Sequence, residues 1–162
     1  MKPDIRLAGP ADREMLTALI ARIEAEDHPE DPTTSDQAPS GVRRSLLHYD
    51  ALDSDAVWFL VAHIGEAPAG LAILVRIPKL DDRHGFLYLD ELHVLAEHRR
   101  KGIGQALLSQ AMNLCSDLGL AGIRLLARPD NQPARALYES VGFHADETML
   151  YQLGIEPGKP QV

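Results

Sequence analysis

The segment Arg99-Arg100-Lys101-Gly102-Ile103-Gly104-Gln105-Ala106 offers the clearest chemistry in the sequence. It follows an apolar run that reads as a strand and opens a run with helical spacing. The first four N–H groups of a helix lack internal acceptors, and the helix dipole makes that end positive. Gly102 and Gly104 let the main chain approach a ligand with no Cβ in the way. Three cations stand directly before them. This is an anion site for which a diphosphate is the natural guest. Spacing excludes two known phosphate loops. Gln105-Ala106 stand where a P-loop needs Lys-Ser/Thr, and Leu107 stands where a dinucleotide fingerprint needs its third glycine. Taken alone, the segment also suits a plain glycine turn with a solvated basic face.

Other reactive side chains are few. Asp90 and Glu91 interrupt an apolar strand. An unpaired buried carboxylate is costly, so each must be paired or stand at a cleft. Strict alternation places Asp90 on one face with Phe86, Tyr88, Leu92 and Val94, and Glu91 on the other with Leu87, Leu89 and His93. Tyr138 falls on the apolar stripe of a short helix with Ala134, Leu137 and Val141, where most tyrosines pack. Cys115 lies mid-helix on an apolar stripe and reads as a small hydrophobe, not a nucleophile. The seven histidines show no ligand spacing, so no metal site is expected.

The elements that must position these residues follow from periodicity. Ile5–Leu7 reads as a strand and Pro10 to about Glu26 as a helix. Residues 27–41, with three prolines, read as a loop, and Gly41–Tyr49 as a second helix. Val57–Ile64 and Leu71–Ile77 read as strands joined by a hairpin over 65–70. Phe86–Leu95, apolar on both faces, reads as a central strand covered twice. Gly102–Leu118 is the clearest helix, with Gly119 as its stop. A strand at Ile123–Ala127, a helix at Pro133–Val141 and a last strand at Met149–Leu153 complete the order βααβββαβαβ. This is an α/β (α+β) mixed sheet with helices on both faces. One domain over residues 1–153 and a flexible tail over 154–162 are expected.

Composition narrows the class. The 162 residues carry a net charge of −8, which disfavours a nucleic-acid partner despite the local basic cluster. A single cysteine excludes an intrachain disulfide. No apolar stretch approaches the roughly 20 residues needed to span a bilayer, and no apolar region follows Met1-Lys2-Pro3-Asp4. A cytoplasmic chain with no membrane partner is expected.

Arg99-Arg100-Lys101-Gly102-Ile103-Gly104 fits the pattern Arg/Gln-x-x-Gly-x-Gly/Ala. With Tyr88-Leu89-Asp90-Glu91-Leu92-His93-Val94 upstream, and Asn131 to Tyr138 and then Val141-Gly142-Phe143 downstream, the chain resembles the GNAT N-acetyltransferase superfamily. The resemblance is strong over about residues 86–144 and looser over 1–85. Tyr88–Val94 is also similar to the diamine acetyltransferase branch. The resemblance implies a GNAT-like central mixed sheet of about six to seven strands flanked by about four helices. It implies acetyl-CoA as co-substrate and direct attack by an amine. The N–H groups of Gly102, Ile103, Gly104, Gln105 and Ala106, beside Arg99, Arg100 and Lys101, would hold the diphosphate. The main chain of Leu92, His93 and Val94 would pair with the pantetheine arm, and Asn131 and Arg135 would assist from the last helix. Tyr138 would protonate the leaving thiolate. Asp90 would deprotonate or orient the acceptor ammonium, with Glu91 as its rival.

The acceptor is bounded by charge. No Lys or Arg occurs between Ile23 and Val42, while Glu24, Glu26, Asp27, Glu30, Asp31 and Asp36 do. The first helices of this family wall the acceptor, so an acidic wall implies a small cationic amine; the same residues would also make an ordinary solvated loop. A protein N-terminus or lysine as acceptor, and a non-catalytic acyl-CoA-binding module, are the competing readings. The resemblance also implies a homodimer.

Overall fold

A computed structural model of the protein describes residues 2–27, 29, 46, 50–80 and 84–154. Its strands are β1 (Asp4–Leu7), β2 (Val57–Ile64), β3 (Ala67–Ile77), β4 (Phe86–Val94) and β5 (Ile123–Leu125). Its helices are α1 (Arg13–Asp27), α2 (Ile103–Asp117) and α3 (Gln132–Ser140). One sheet runs β1-β2-β3-β4-β5, antiparallel throughout except for the parallel pair β4·β5.

The alternation of apolar residues divides the core between the two sheet faces. Leu60 and Ala62 of β2, Ala72 and Leu74 of β3, and Leu87 and Leu89 of β4 pack with Ile103, Leu107, Leu108, Ala111 and Cys115 of α2. Phe59 and Val61 of β2 and Leu71 of β3 pack with Leu16, Leu19 and Ile23 of α1. Each fully buried Leu or Ile contributes about 1.5–3 kcal/mol, so this division fixes α1 on one face and α2 on the other. Leu137, Tyr138 and Val141 set α3 against the α2 side.

Several expectations change. β3 begins at Ala67, so the hairpin shrinks to Gly65-Glu66, with Gly65 at φ 63°. Pro68 is tolerated in the strand because it lies beside an irregularity at Ala62/His63. β5 stops at Leu125. The strand expected at Met149–Leu153 does not form among the described residues. The segment runs without a ladder partner and leaves Met149, Leu150, Tyr151 and Leu153 62–84% exposed. Among the described residues the mixed sheet has five strands and the chain three α-helices, against about six to seven and about four expected. The helix expected over 41–49 lies outside the described residues apart from Leu46, which is helical and buried. Residues 155–162 of the expected tail also lie outside them.

Candidate active site

β4 carries the decisive irregularity. Leu74 pairs with Leu89 and the next pair is Ile73 with Glu91, so Asp90 is an inserted residue, a β-bulge. An inserted residue shifts the alternation by one. Leu92 and Val94 therefore pack on the α2 side with Leu87 and Leu89, correcting the expectation that they share a face with Phe86 and Tyr88. Glu91 and His93 turn to the α1 side, and Glu91 does not share a face with Leu89. Asp90 is exposed and outside the ladder.

The segment Glu91–His93 of β4 lines a cleft of about 450 Å³ with Ile23, Glu24 and Asp27 of α1. Glu91 is exposed like Asp90, yet partial burial of its carboxyl in the cleft raises it above the ordinary glutamate value, and the charges of Asp90, Glu24 and Asp27 raise it further; His93 opposes them. The cleft thus gathers three carboxylates from two elements.

β4 continues five residues beyond its last pair with β5, Leu89 with Leu125. From Asp90 to Val94 the side of β4 that faced β5 has no ladder partner among the described residues, while the other side stays paired to β3 through Gly70↔Val94. Gly70 is required there: a Cβ would meet the His93 carbonyl oxygen at 2.8 Å.

The glycine turn follows. Gly102 is the N-cap of α2 at φ 77°, with open space around it and no side-chain cap. The main-chain donors at the start of α2 lack helical acceptors. Ala106 is an exception: its N–H donates to the Gly102 carbonyl at 3.1 Å, so it is spent inside the helix and leaves the expected donor set. Gly104 has a packing duty as well, since a Cβ there would lie 2.8 Å from Leu137 Cδ2 of α3.

Two of the three cations are engaged locally. Arg99 Nε donates to the Val94 carbonyl at 3.0 Å, and Lys101 Nζ to the Glu97 carbonyl at 2.8 Å. Arg100 stands at φ 63°, a left-handed conformation uncommon outside glycine, and makes no polar contact with any described residue. Asn131 caps α3, its Oδ1 accepting from Ala134 N at 3.2 Å. Arg135 reaches the Pro129 carbonyl at 3.2 Å and Glu139 at 3.8 Å.

Tyr138 is half-buried on α3, edge-on to Phe143 with ring centroids 5.8 Å apart. Burial alone pushes its hydroxyl above the usual tyrosine value. No described residue, Asp90 and Glu91 included, hydrogen-bonds it. Cys115 is buried, its thiol also raised by burial. Among the described residues, no group of three or more His, Cys, Asp or Glu is placed to hold a metal ion. No described helix is long and apolar enough to cross a membrane.

Sequence reasoning counted Glu26 only as part of an acidic acceptor wall; it is not among the residues that line the cleft. Its carboxylate accepts the Ala96 N–H at 3.0 and 3.3 Å, lies 3.3 Å from His93 Nε2 and 3.6 Å from Arg99 Nη2. No local pattern announces a contact across 70 residues.

Comparison with known proteins matches this architecture. The chain is 37% identical over 67 residues to N-alpha-acetyltransferase 40 of Saccharomyces cerevisiae, covering 36% of this chain and 23% of that protein. It spans 23% and 38% of the lengths of the curated relatives it matches. An aminoglycoside acetyltransferase from an uncultured soil metagenomic sample has the same fold, with a TM-score of 0.79 at 23% identity over 96% of this chain and 100% of that one. A second aminoglycoside acetyltransferase, AAC(6')-Iy in complex with the bisubstrate analogue CoA-S-monomethyl-acetylneamine, superimposes with a TM-score of 0.74 at 17% identity, over 96% and 99% of the two chains. The model of the acetyltransferase (GNAT) family matches residues 18–143, and the chain belongs to that family.

Proposed function

We propose that the protein is an acetyl-CoA-dependent N-acetyltransferase whose acceptor is a small cationic amine. One observation carries the reading: the unpaired edge of β4 from Asp90 to Val94 leads from the donor-rich start of α2 to an acidic cleft.

The chain fits acetyl-CoA on two counts. An extended arm needs a strand edge with free main-chain groups, and β4 beyond Leu89 offers one. A diphosphate needs clustered N–H donors, supplied by Gly102, Ile103, Gly104 and Gln105. Arg100 is the cation placed to add charge, because Arg99 and Lys101 already hold main-chain carbonyls. Asn131 and Arg135 then act mainly by fixing α3, and through it Tyr138.

Acetyl-CoA supplies an activated acetyl thioester. The chain's own residues prepare the amine and the leaving group. Glu24, Asp27 and Glu91 attract an ammonium into the cleft. An alkyl ammonium has a pKa near about 10.4, so it must lose a proton before attack. Glu91 is the better base of the adjacent pair: it lines the cleft and its proton affinity is raised, which brings it nearer the working pH. Asp90, outside the ladder, acts on Glu91 by repulsion. The Tyr138 hydroxyl stays protonated at neutral pH and is a donor suited to a departing thiolate. Holding both reactants in one site supplies much of the remaining acceleration.

Thiol release from acetyl-CoA across spermidine, an aminoglycoside and a lysine peptide tests the reading. Turnover with the first two and little with the peptide supports it. Turnover confined to the peptide moves the assignment to protein acceptors. CoA binding with no turnover on any amine leaves an acyl-CoA-binding module.

A further inference from the structure

We propose that Glu26 is a positioning residue for the cofactor end of the site, acting by capping, from α1, the turn that joins β4 to the glycine turn. The proposal rests on the acetyl-CoA reading above and adds to it a residue outside both the motif and the cleft lining.

The single helical turn Ala96–His98 begins after Leu95, an apolar residue with no cap to offer. Its first N–H would be an orphan. Glu26 supplies the missing acceptor, both carboxylate oxygens lying 3.0–3.3 Å from Ala96 N. The same carboxylate is 3.6 Å from Arg99 Nη2, and Arg99 Nε holds the Val94 carbonyl at 3.0 Å. A closed chain of contacts therefore runs from Glu26 to Ala96 on one side, and through Arg99 to the last residue of β4 on the other. Beneath it, Leu95 is fully buried among Leu16, Leu19 and Ile23 of α1, and its N–H donates to the Ala69 carbonyl. Arg22, one helical turn before Glu26, pairs with Glu97 at 2.9 Å.

These ties are unequal. The Arg22–Glu97 pair is about half exposed on both sides, and such pairs contribute little. The Glu26 side chain is 23% exposed and accepts a main-chain N–H, the stronger charge-assisted kind of bond. It also joins two parts of the site. Glu24 and Asp27, its neighbours on α1, wall the cleft, while Ala96 and Arg99 lead into Gly102. Glu26 holds the two at a fixed spacing.

Calorimetric titration of the full chain with CoA tests this in the unmodified protein, Glu26→Ala and Glu26→Gln. Alanine removes the acceptor, and CoA affinity is expected to fall about tenfold, equivalent to 1.4 kcal/mol. Glutamine keeps a carbonyl oxygen for Ala96 N–H but gives up the charge that strengthens this bond and faces Arg99, so affinity is expected to fall only about threefold, less than in alanine. Unchanged affinity in Glu26→Ala overturns the proposal. So does a loss in Glu26→Gln as large as in alanine, which would assign the effect to charge. If Glu26→Ala does not fold, amide exchange in the unmodified protein decides: CoA should slow Ala96 N–H together with the amides that open α2, and slowing confined to the latter overturns it. Absence of CoA uptake by the unmodified protein is a different failure, that of the functional reading, and is seen before any variant is compared.

Discussion

Gly70→Ala isolates the packing that shapes the β4 edge. A Cβ at Gly70 would lie 2.8 Å from the His93 carbonyl oxygen, 3.4 Å from Val94 Cα and 3.4 Å from Ile103 Cγ2. The first two obstacles are main chain in a paired strand and cannot rotate away. Overpacking of this kind costs about 1–3 kcal/mol. Against it stands about 0.4–1 kcal/mol gained by restricting the unfolded chain. The net loss is about 1–2 kcal/mol. For a chain of this length each kcal/mol moves Tm by roughly 2–4 °C, so Tm should fall by about 2–8 °C in a thermal melt. The displaced groups are His93, Val94 and the first residue of α2, so CoA affinity should weaken in the same variant. A Tm equal to or above that of the unmodified protein would refute the reasoning, because the steric cost would then be no larger than the entropic gain.

Tyr138→Phe should lower turnover by about 10²-fold or more while leaving CoA affinity nearly unchanged; equal loss in both, by thiol release and calorimetry, counts against the proton-donor role. Glu91→Gln should abolish the acid limb of the pH–kcat/KM profile, which in the unmodified protein rises as Glu91 ionises above the ordinary glutamate range. The same variant should be more stable at neutral pH. A carboxyl whose folded pKa is raised loses stability as pH climbs through that pKa, so the difference should vanish below the unfolded glutamate value. Melts showing Glu91→Gln less stable at neutral pH contradict this. Asp90→Asn should lower the Glu91 pKa, shifting the acid limb to lower pH; an unmoved limb would separate the two carboxylates. The homodimer that the family resemblance implies predicts twice the chain mass in light scattering; the mass of a single chain contradicts it.

Much of this was legible in the sequence, for reasons that differ by element. α2 and its glycine turn were readable because caps, stripe and stop are all local. The two-faced apolar character of β4 likewise announced a central strand. The bulge at Asp90 was not readable from strict alternation, since an inserted residue keeps every residue type and only exchanges faces. The side-chain pattern held a trace of it: apolar residues at 87, 89, 92 and 94 keep one face only if a residue is inserted between 89 and 92. The last strand failed because strand composition in Met149–Leu153 does not supply a neighbour to pair with. Glu26 was legible only as an acidic wall residue, because its partners Ala96 and Arg99 are set by how α1 lies on the sheet. Spacing found the cations but could not tell which would be spent on carbonyls, as Arg99 and Lys101 are.

The central claim is that the free edge of β4 and the first amides of α2 hold CoA. Isothermal titration of the unmodified protein with CoA at low salt tests it most directly. Saturable heat fitting one site per chain, lost when Gly102 is replaced by valine in a variant that still melts cooperatively, is the predicted result. Absence of binding heat from folded protein at several temperatures would contradict the account.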